Sequence, residues 1–371
     1  MPAEKVRVLH IFRCLELGGL ENRILRLAKG LDPQEFQVDF LTFRKTPFAP
    51  LEPPPSTRHT LFEVAPGLHP QRLLALSRFI RDGRYDIVHT HNWSVMFYGI
   101  LAARLAGVPR VFHGEHGMDL ENLHHTSWKR LLAQKALARM ADRVVCVNEF
   151  VADHNKSKWR MGEDKFRVIH NGVDIGRFQP RAESGSPTVT IGTVGRMVAV
   201  KDYPTLLRAF RLLLDRLPGR DLRLLVVGDG PERQALGELA GQLGIAERVD
   251  FPGELRKPED GYRRMDLFVN TSRFEGMSNT ILESMACGLP VIASAVPGNQ
   301  IWLTRESNAL FYEVGNAQSL ADRMRELVDD PAAMAALGRK NRARVERDFD
   351  NQVFLKTYRQ TYFDCLEKRA A

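Results

Sequence analysis

Short β-rich runs alternate with helical runs along nearly the whole chain, and the alternation restarts near its middle. Such a rhythm belongs to parallel α/β domains, in which each strand returns to its sheet through a helix. In the first half VRVLHIF (Val6–Phe12) reads as a buried strand, and GGLENRILRLAKGL turns at Gly18-Gly19 into a helix. QVDFLTF, DIVHTHN (Asp86–Asn92), RVFHGEHG (Arg110–Gly117), VVCVNEF (Val144–Phe150) and KFRVIHNGVD (Lys165–Asp174) supply further strands. Between them LEPPPSTRH reads as a surface loop, because its prolines lack the N–H that a sheet position needs. QPRAESGSP (Gln179–Pro187), polar and rich in Gly, Ser and Pro, reads as the linker. A second unit opens with TVTIGTVGRM and continues through DLRLLVVGDGPE, RVDFPGEL, DLFVNTS and PVIAS; beyond Asp330 the chain reads as continuous helix. A length of 371 residues suits two domains of ordinary size. The expected fold class is α/β, as two similar doubly wound domains with a cleft between them.

Apolar residues at 44% and charged residues at 26% match a soluble globular protein. No run nears the ~18 apolar residues of a membrane span. The start, MPAEKVRVLHIF, is too short in its apolar run and too strand-like for a signal peptide. Cys14, Cys146, Cys287 and Cys365 lie far apart with no CxxC pair, which suggests neither a disulfide framework nor a zinc site. The expected location is cytoplasmic. Charge is uneven within the net +8: residues 1–180 hold 26 Lys and Arg against 19 Asp and Glu, and the remainder 27 against 26. A basic first half is expected to meet something anionic. No basic run is interleaved with aromatics and no nucleic-acid module is recognisable, so phosphate-bearing small molecules or an anionic membrane surface fit better than nucleic acid.

Several short motifs sit where an α/β sheet places ligands. Gly18-Gly19 follows the first strand, where glycines allow a tight turn or a close approach of backbone N–H groups to phosphate. The full GxGxxG is absent there and at Gly228-Asp229-Gly230, which disfavours a dehydrogenase. GRMVAVKD (Gly195–Asp202) carries Arg196 and Lys201, either a diphosphate clamp or two solvated charges. His89, His91, His113 and His116 cluster at strand ends, as ligand-facing groups or as satisfied hydrogen-bonding residues; none has a zinc spacing. Asp348-Phe349-Asp350 lies away from every glycine turn and reads as a solvated helix junction, not a metal site. SWKRLLAQKALARMADR (Ser127–Arg143) is a helix that packs on its own sheet or lies on an anionic membrane. In FEGMSNTILESMACGLPVIAS (Phe274–Ser294), Glu275 precedes a helix and Glu283 lies inside it, where Thr280-Ile-Leu-Glu283 also matches a capping box.

Taken in order, GGLE, HGEHG, IHNGVDIGRFQP, VGRMVAVKD, VVGDGP and FEGMSNTILESMACGLPVIAS resemble the family-4 retaining glycosyltransferases over essentially the whole chain. GGLE, HTHNW and HGEHG are most similar to bacterial exopolysaccharide-type sugar transferases. The resemblance implies the GT-B architecture: an acceptor-binding Rossmann-like domain (1–178) and a donor-binding one (179–351), with the last helix (about 352–371) packing back on the first. It assigns Arg196 and Lys201 to the donor diphosphate, with Gly18 and Gly19 approaching the same phosphates. Glu275 would contact the donor sugar, Gly276, Met277 and Ser278 would aim backbone N–H groups at the donor, and Glu283 would hydrogen-bond the ribose. His116 would face the reacting sugar, with His113 as second choice. Asp202 stands where the family usually has Gly, Thr271 replaces a frequent Pro, and VPGNQ replaces a Gly-Gly segment. The implied reaction is retaining, metal-independent transfer from a nucleotide sugar, UDP- or GDP-linked, with no further cofactor. The acceptor would be a glycan, a polyprenyl-linked sugar or a small molecule, met by an enzyme peripheral on the inner face of the membrane. The alternatives are a sugar-nucleotide 2-epimerase of the same fold and a catalytically dead binding protein.

Overall fold

The computed structural model describes residues 5–16, 18–46, 52–65, 67–117, 127–181, 187–304 and 309–367. The chain forms two units, Met1–Asn171 with Gln352–Ala371, and Gly172–Asn351. The first crossing between units thus falls before the expected linker Gln179–Pro187, of which 182–186 lie outside the described residues.

The first unit holds a seven-stranded sheet of β1 (Val6–Phe12), β2 (Phe36–Thr42), β3 (His59–Leu61), β4 (Ile87–His91), β5 (Arg110–Glu115), β6 (Arg143–Cys146) and β7 (Phe166–Val168). Its order is β3-β2-β1-β4-β5-β6-β7, with every pair parallel. The order reverses direction between β1 and β4, which opens a crevice at their carboxyl ends. β1 shows why: from Val8 to Phe12 every residue is buried, as a strand covered on both faces requires. Among its described residues the proline-rich loop holds no strand until its last residue, His59, begins the short edge strand β3.

The final helix, Asn351–Glu367, completes this core. Phe354, Tyr358 and Tyr362 pack in the same cluster as Val8, Phe12 and Phe36, each worth roughly 1.5–3 kcal/mol of burial. Arg23, buried at 2% exposure, fixes the contact by donating to Tyr358 Oη (3.0 Å) and the Ile169 carbonyl (2.7 Å). The expected continuous helix beyond Asp330 is not continuous. Pro331–Arg344 runs into a π-helical turn, Val345–Phe349; Asp350 is then extended and bridges Val173, and a new helix follows. Asp348 is paired with Arg347 at 2.7 Å, so the Asp-x-Asp is a junction held by ion pairs.

The second unit holds a six-stranded parallel sheet of β8 (Val189–Val194), β9 (Leu222–Val227), β10 (Val249–Gly253), β11 (Leu267–Asn270), β12 (Val291–Ser294) and β13 (Leu310–Tyr312), ordered β10-β9-β8-β11-β12-β13. Its switch point lies between β8 and β11. Pro252 is accommodated because β10 is the edge strand and its register shifts there.

Trp128–Met140 forms the expected basic helix, with the Ser127 hydroxyl accepting from Arg130 N as N-cap. Leu137 and Ala138 are buried on their own unit, yet Trp128 and Leu132 stay 67% and 55% exposed. Among the described residues no helix is long and apolar enough to cross a membrane.

Candidate active site

In the second unit two loops leave the crevice at the ends of β8 and β11. The first passes Arg196 and a 3-10 turn, Ala199–Lys201; the second passes Thr271 and Ser272 to the turn at 275–278. Thr271 Oγ1 donates to the Lys201 carbonyl at 2.6 Å and Arg273 N to the Val200 carbonyl at 2.8 Å, tying the loops together. Lys201 Nζ therefore reaches Glu275 Oε1 at 2.6 Å. Ser272 Oγ donates to that same oxygen at 2.7 Å and Asn270 Nδ2 at 3.5 Å. Among the described residues three protein donors hold Oε1 and no hydrogen bond reaches Oε2. Arg196 is exposed and forms no ion pair among the described residues. Of the two cations expected on a diphosphate, one is thus bound to the expected sugar ligand.

Glu283 lies within the helix Asn279–Ala286, whose N-cap is Ser278. Thr280 is already inside that helix, so the capping box does not form; its hydroxyl meets Ser278 Oγ at 3.0 Å instead. Glu283 Oε2 accepts from Tyr262 Oη at 2.8 Å. Burial, and then the adjacent Glu283 carboxylate, raises that phenol well above its ordinary value, which keeps it a donor. Gly276, Met277 and Ser278 are buried beside this helix start. A side chain on Gly298 would run into the Glu275 carbonyl, so glycine alone lets the helix Pro297–Leu303 begin against the turn. Asn299, fully buried, donates to Asn270 Oδ1 at 3.2 Å and extends the network behind Glu275. Asp202 has φ +49°, the left-handed region glycine favours, and accepts from Thr205 Oγ1 at 2.9 Å.

In the first unit, the helix Gly19–Gly30 starts with Gly18 as N-cap and no side-chain capping bond. A cavity of about 580 Å³ opens there, walled by Gly19, Glu21, Asn92, Glu115, His116 and Trp159 among others. His116 borders it. His113 does not: it is fully buried, bonded to Thr90 Oγ1 at 2.8 Å and Glu115 Oε1 at 2.9 Å. Arg13, Arg130 and Lys158 are balanced in the wall by Glu16, Glu21 and Glu115. Glu21 is 8% exposed, and burial pushes its carboxyl up to about 7.

These two sites can be compared with known proteins. The model for Glycosyltransferase Family 4 matches residues 17–177, and that for Glycosyl transferases group 1 matches 188–330. The D-inositol 3-phosphate glycosyltransferase 1 of Catenulispora acidiphila is 30% identical, covering 87% of this chain and 85% of its own. The chain belongs to this glycosyltransferase family. Another relative of the transferase is the UDP-Gal:alpha-D-GlcNAc-diphosphoundecaprenol alpha-1,3-galactosyltransferase of Escherichia coli, 28% identical over 70% of each chain. Among solved structures, Anabaena Alr3699/HepE in complex with UDP superposes with a TM-score of 0.82 at 19% identity, covering 97% of this chain and 100% of that one. The fold is therefore GT-B, with two Rossmann-like domains. Both matching family models describe transferases, which disfavours the epimerase reading.

The hydrogen-bond networks of the transferase also include residues the motifs did not single out. Asn270 and Ser272 stand two apart in NTSRFE, polar groups at the end of an otherwise apolar strand. His10 sits in the middle of VRVLHIF, and a polar residue inside a buried strand is itself a signal. Tyr262 carries no local cue, since its partner Glu283 lies 21 residues away, and Asn299 bonds Asn270, 29 residues away, as well as Ser294.

Proposed function

We propose that the enzyme is a retaining glycosyltransferase using a UDP- or GDP-linked sugar, without a divalent metal or other cofactor. The observation that carries this reading is Glu275, with Oε1 held by Lys201, Ser272 and Asn270 and no such bond on Oε2. A donor sugar hydroxyl would take Oε2. As the sugar–phosphate bond breaks, the sugar becomes oxocarbenium-like beside this carboxylate, and the diphosphate gains negative charge. Arg196 and Lys201 would stabilise that charge, with electrostatics prearranged rather than recruited. Backbone N–H groups of the Gly276-Met277-Ser278 turn would face the donor, as would those beside Gly18 and Gly19. Glu283, oriented by Tyr262, would accept from the ribose hydroxyls. His116 would serve the reacting sugar.

The acceptor would be a glycan, a lipid-linked sugar or a small molecule, and one carrying phosphate suits the excess of Lys and Arg in residues 1–180. The two relatives named above support this, since their names specify a diphosphoundecaprenol-linked sugar and an inositol phosphate. The neighbour crystallised with UDP supports a uridine donor. Exposed Trp128 and Leu132 beside exposed Lys129 and Arg139 support peripheral contact with an anionic membrane. Transfer assays in EDTA, with UDP- and GDP-sugars and NMR of the product's anomeric configuration, test the reading. Full turnover with retained configuration is expected; inversion or a strict Mg²⁺ requirement overturns it.

A further inference from the structure

Three residues of the first unit form a hydrogen-bonded line that ends in the cavity. Thr90 Oγ1 lies 2.8 Å from His113 Nδ1, and His113 Nε2 lies 2.9 Å from Glu115 Oε1. The sheet builds the line: β4 pairs with β5, which places Thr90 opposite His113. The two-residue period of a strand then puts Glu115 on the same face as His113. The direction of the line is set at its outer end, because an ionised carboxylate only accepts. His113 Nε2 therefore donates to Glu115, and a neutral ring takes the Thr90 hydroxyl at Nδ1. The other acceptor near that hydroxyl, the Phe112 carbonyl, is farther away at 3.3 Å.

Thr90 and His113 are fully buried and take no part in the cavity wall. Glu115 does, with 13% of its side chain exposed. Among the described residues no hydrogen bond reaches its Oε2. The other carboxylates of the wall are placed differently. Glu21 is folded back on its own helix start, where a Cβ on Gly18 would come within 2.4 Å of its Oε2. Glu16 lies beside the Cys14 thiol, which burial, and then Glu16, pushes up to about 11.

Two cations line the same cavity from helices, Arg130 from Trp128–Met140 and Lys158 from Glu149–Trp159. A bare phosphate would meet these cations but also the repulsion of Glu115. A ring carrying both hydroxyls and phosphate suits both kinds of group. Its hydroxyls donate to Glu115, and its phosphate takes the cations. A cavity of about 580 Å³ has room for one such ring.

We infer that this cavity is a site for a hydroxylated ring bearing phosphate, and that Glu115, held by His113 and Thr90, selects it by accepting from a ring hydroxyl. Calling that ligand the acceptor rests on the reading that the acceptor binds in the first unit. His113 and Thr90 are positioning residues that act through Glu115.

Binding needs no turnover, so full-length protein can be titrated with D-inositol 3-phosphate and N-acetylglucosamine 1-phosphate, followed by saturation-transfer NMR. At least one probe should bind, with inorganic phosphate and unphosphorylated inositol each at least about tenfold weaker. Glu115→Gln should weaken that probe about tenfold or more, the loss of a charge-assisted hydrogen bond, with UDP affinity within about twofold. Lys158→Met, on an outer helix, should weaken it several-fold. His113→Leu should follow Glu115→Gln, whereas His113→Gln, whose amide still donates, should recover most of the loss at unchanged Tm. A histidine that only filled space would give no such rescue. Binding of neither probe, equal binding of inorganic phosphate, or full probe affinity in folded Glu115→Gln overturns the inference. Probe binding that depends on Glu115 but leaves sugar transfer uninhibited would instead overturn the acceptor reading and leave the site standing.

Discussion

Lys201 Nζ and Glu275 Oε1, 74 residues apart in sequence, stand 2.6 Å from one another with only 24% and 13% of their side chains exposed. Each therefore holds the other in place without a donor. Lys201→Met leaves a part-buried carboxylate on a hydroxyl and an amide, and should destabilise the fold by about 1–3 kcal/mol in urea unfolding. Adding Glu275→Gln should restore part of that stability, because the uncompensated charge goes with it. Strict additivity of the two changes would mean the pair is not coupled. Activity should behave differently: Glu275→Gln alone is expected to lower kcat more than it changes nucleotide affinity, since beyond its pair with Lys201 the lost charge lies beside the sugar that becomes cationic.

Glu283 and Tyr262 separate along another axis. Glu283→Gln weakens charge-assisted bonds to a ribose, each worth ~1.5–3 kcal/mol, so UDP should bind roughly tenfold or more weakly. Tyr262→Phe keeps the buried ring but removes the donor at 2.8 Å from Glu283, and should weaken UDP several-fold through a misoriented carboxylate. Calorimetric titration of UDP into both variants is the check. Unchanged binding by Glu283→Gln would show that the carboxylate serves the protein and not the ligand.

Residues that announce themselves by local pattern are legible in the sequence. Val6–Phe12 and Val189–Val194 declare buried strands, and Glu275 and Glu283 stand out because a helix start lies between them. What stayed hidden depends on pairing across distance. Nothing near Lys201 shows that Glu275 will claim it, because the loops carrying them are brought together by distant residues, Thr271 and Arg273. The interruption at Asp350 is equally illegible: helical periodicity continues on both sides, and the bridge to Val173, at the far end of the unit, breaks it. His10 reads as one more position of a buried strand, although its line to His91 and His116 runs from β1 through β4 to the segment after β5.

Glu21 gives a pH dependence whose sign can be worked out. Its carboxyl moves from 4.5 to about 7 through burial, opposed by its own backbone hydrogen bond and reinforced by Glu16. Between those values the native state keeps a proton that the unfolded chain has lost. Stability should therefore be fully present below the unfolded value and fall as pH rises through the folded one, by at most about 3 kcal/mol. Glu21→Gln should raise Tm at pH 8 and leave it nearly unchanged at pH 4. Thermal melts across that range test this; equal shifts at both ends would place the effect elsewhere.

Asp202 offers a test of why a position favourable to glycine holds an acid. Its φ of +49° costs an L-residue roughly 1–2 kcal/mol, less for Asp or Asn, whose short polar side chains bond locally. Against that, Asp202 Oδ2 accepts from Thr205 Oγ1 at 2.9 Å and pairs with Arg273 Nε at 3.1 Å. Arg273 is 60% exposed, so the ion pair adds little, about 0–1 kcal/mol. The buried hydrogen bond contributes about 1 kcal/mol, and glycine would add the entropy of a freer unfolded chain. Asp202→Gly gains the relaxed backbone but loses both terms, and should be destabilised by about 1 kcal/mol. Asp202→Asn keeps an acceptor for Thr205 and tolerates the same backbone, so it should lie within about 0.5 kcal/mol of the parent. Asp202→Ala combines the strain with the lost acceptor and should be the least stable of the three. Equilibrium urea unfolding ranks them, and a glycine variant more stable than the parent would mean that strain, not the Thr205 bond, dominates at this turn beside Lys201.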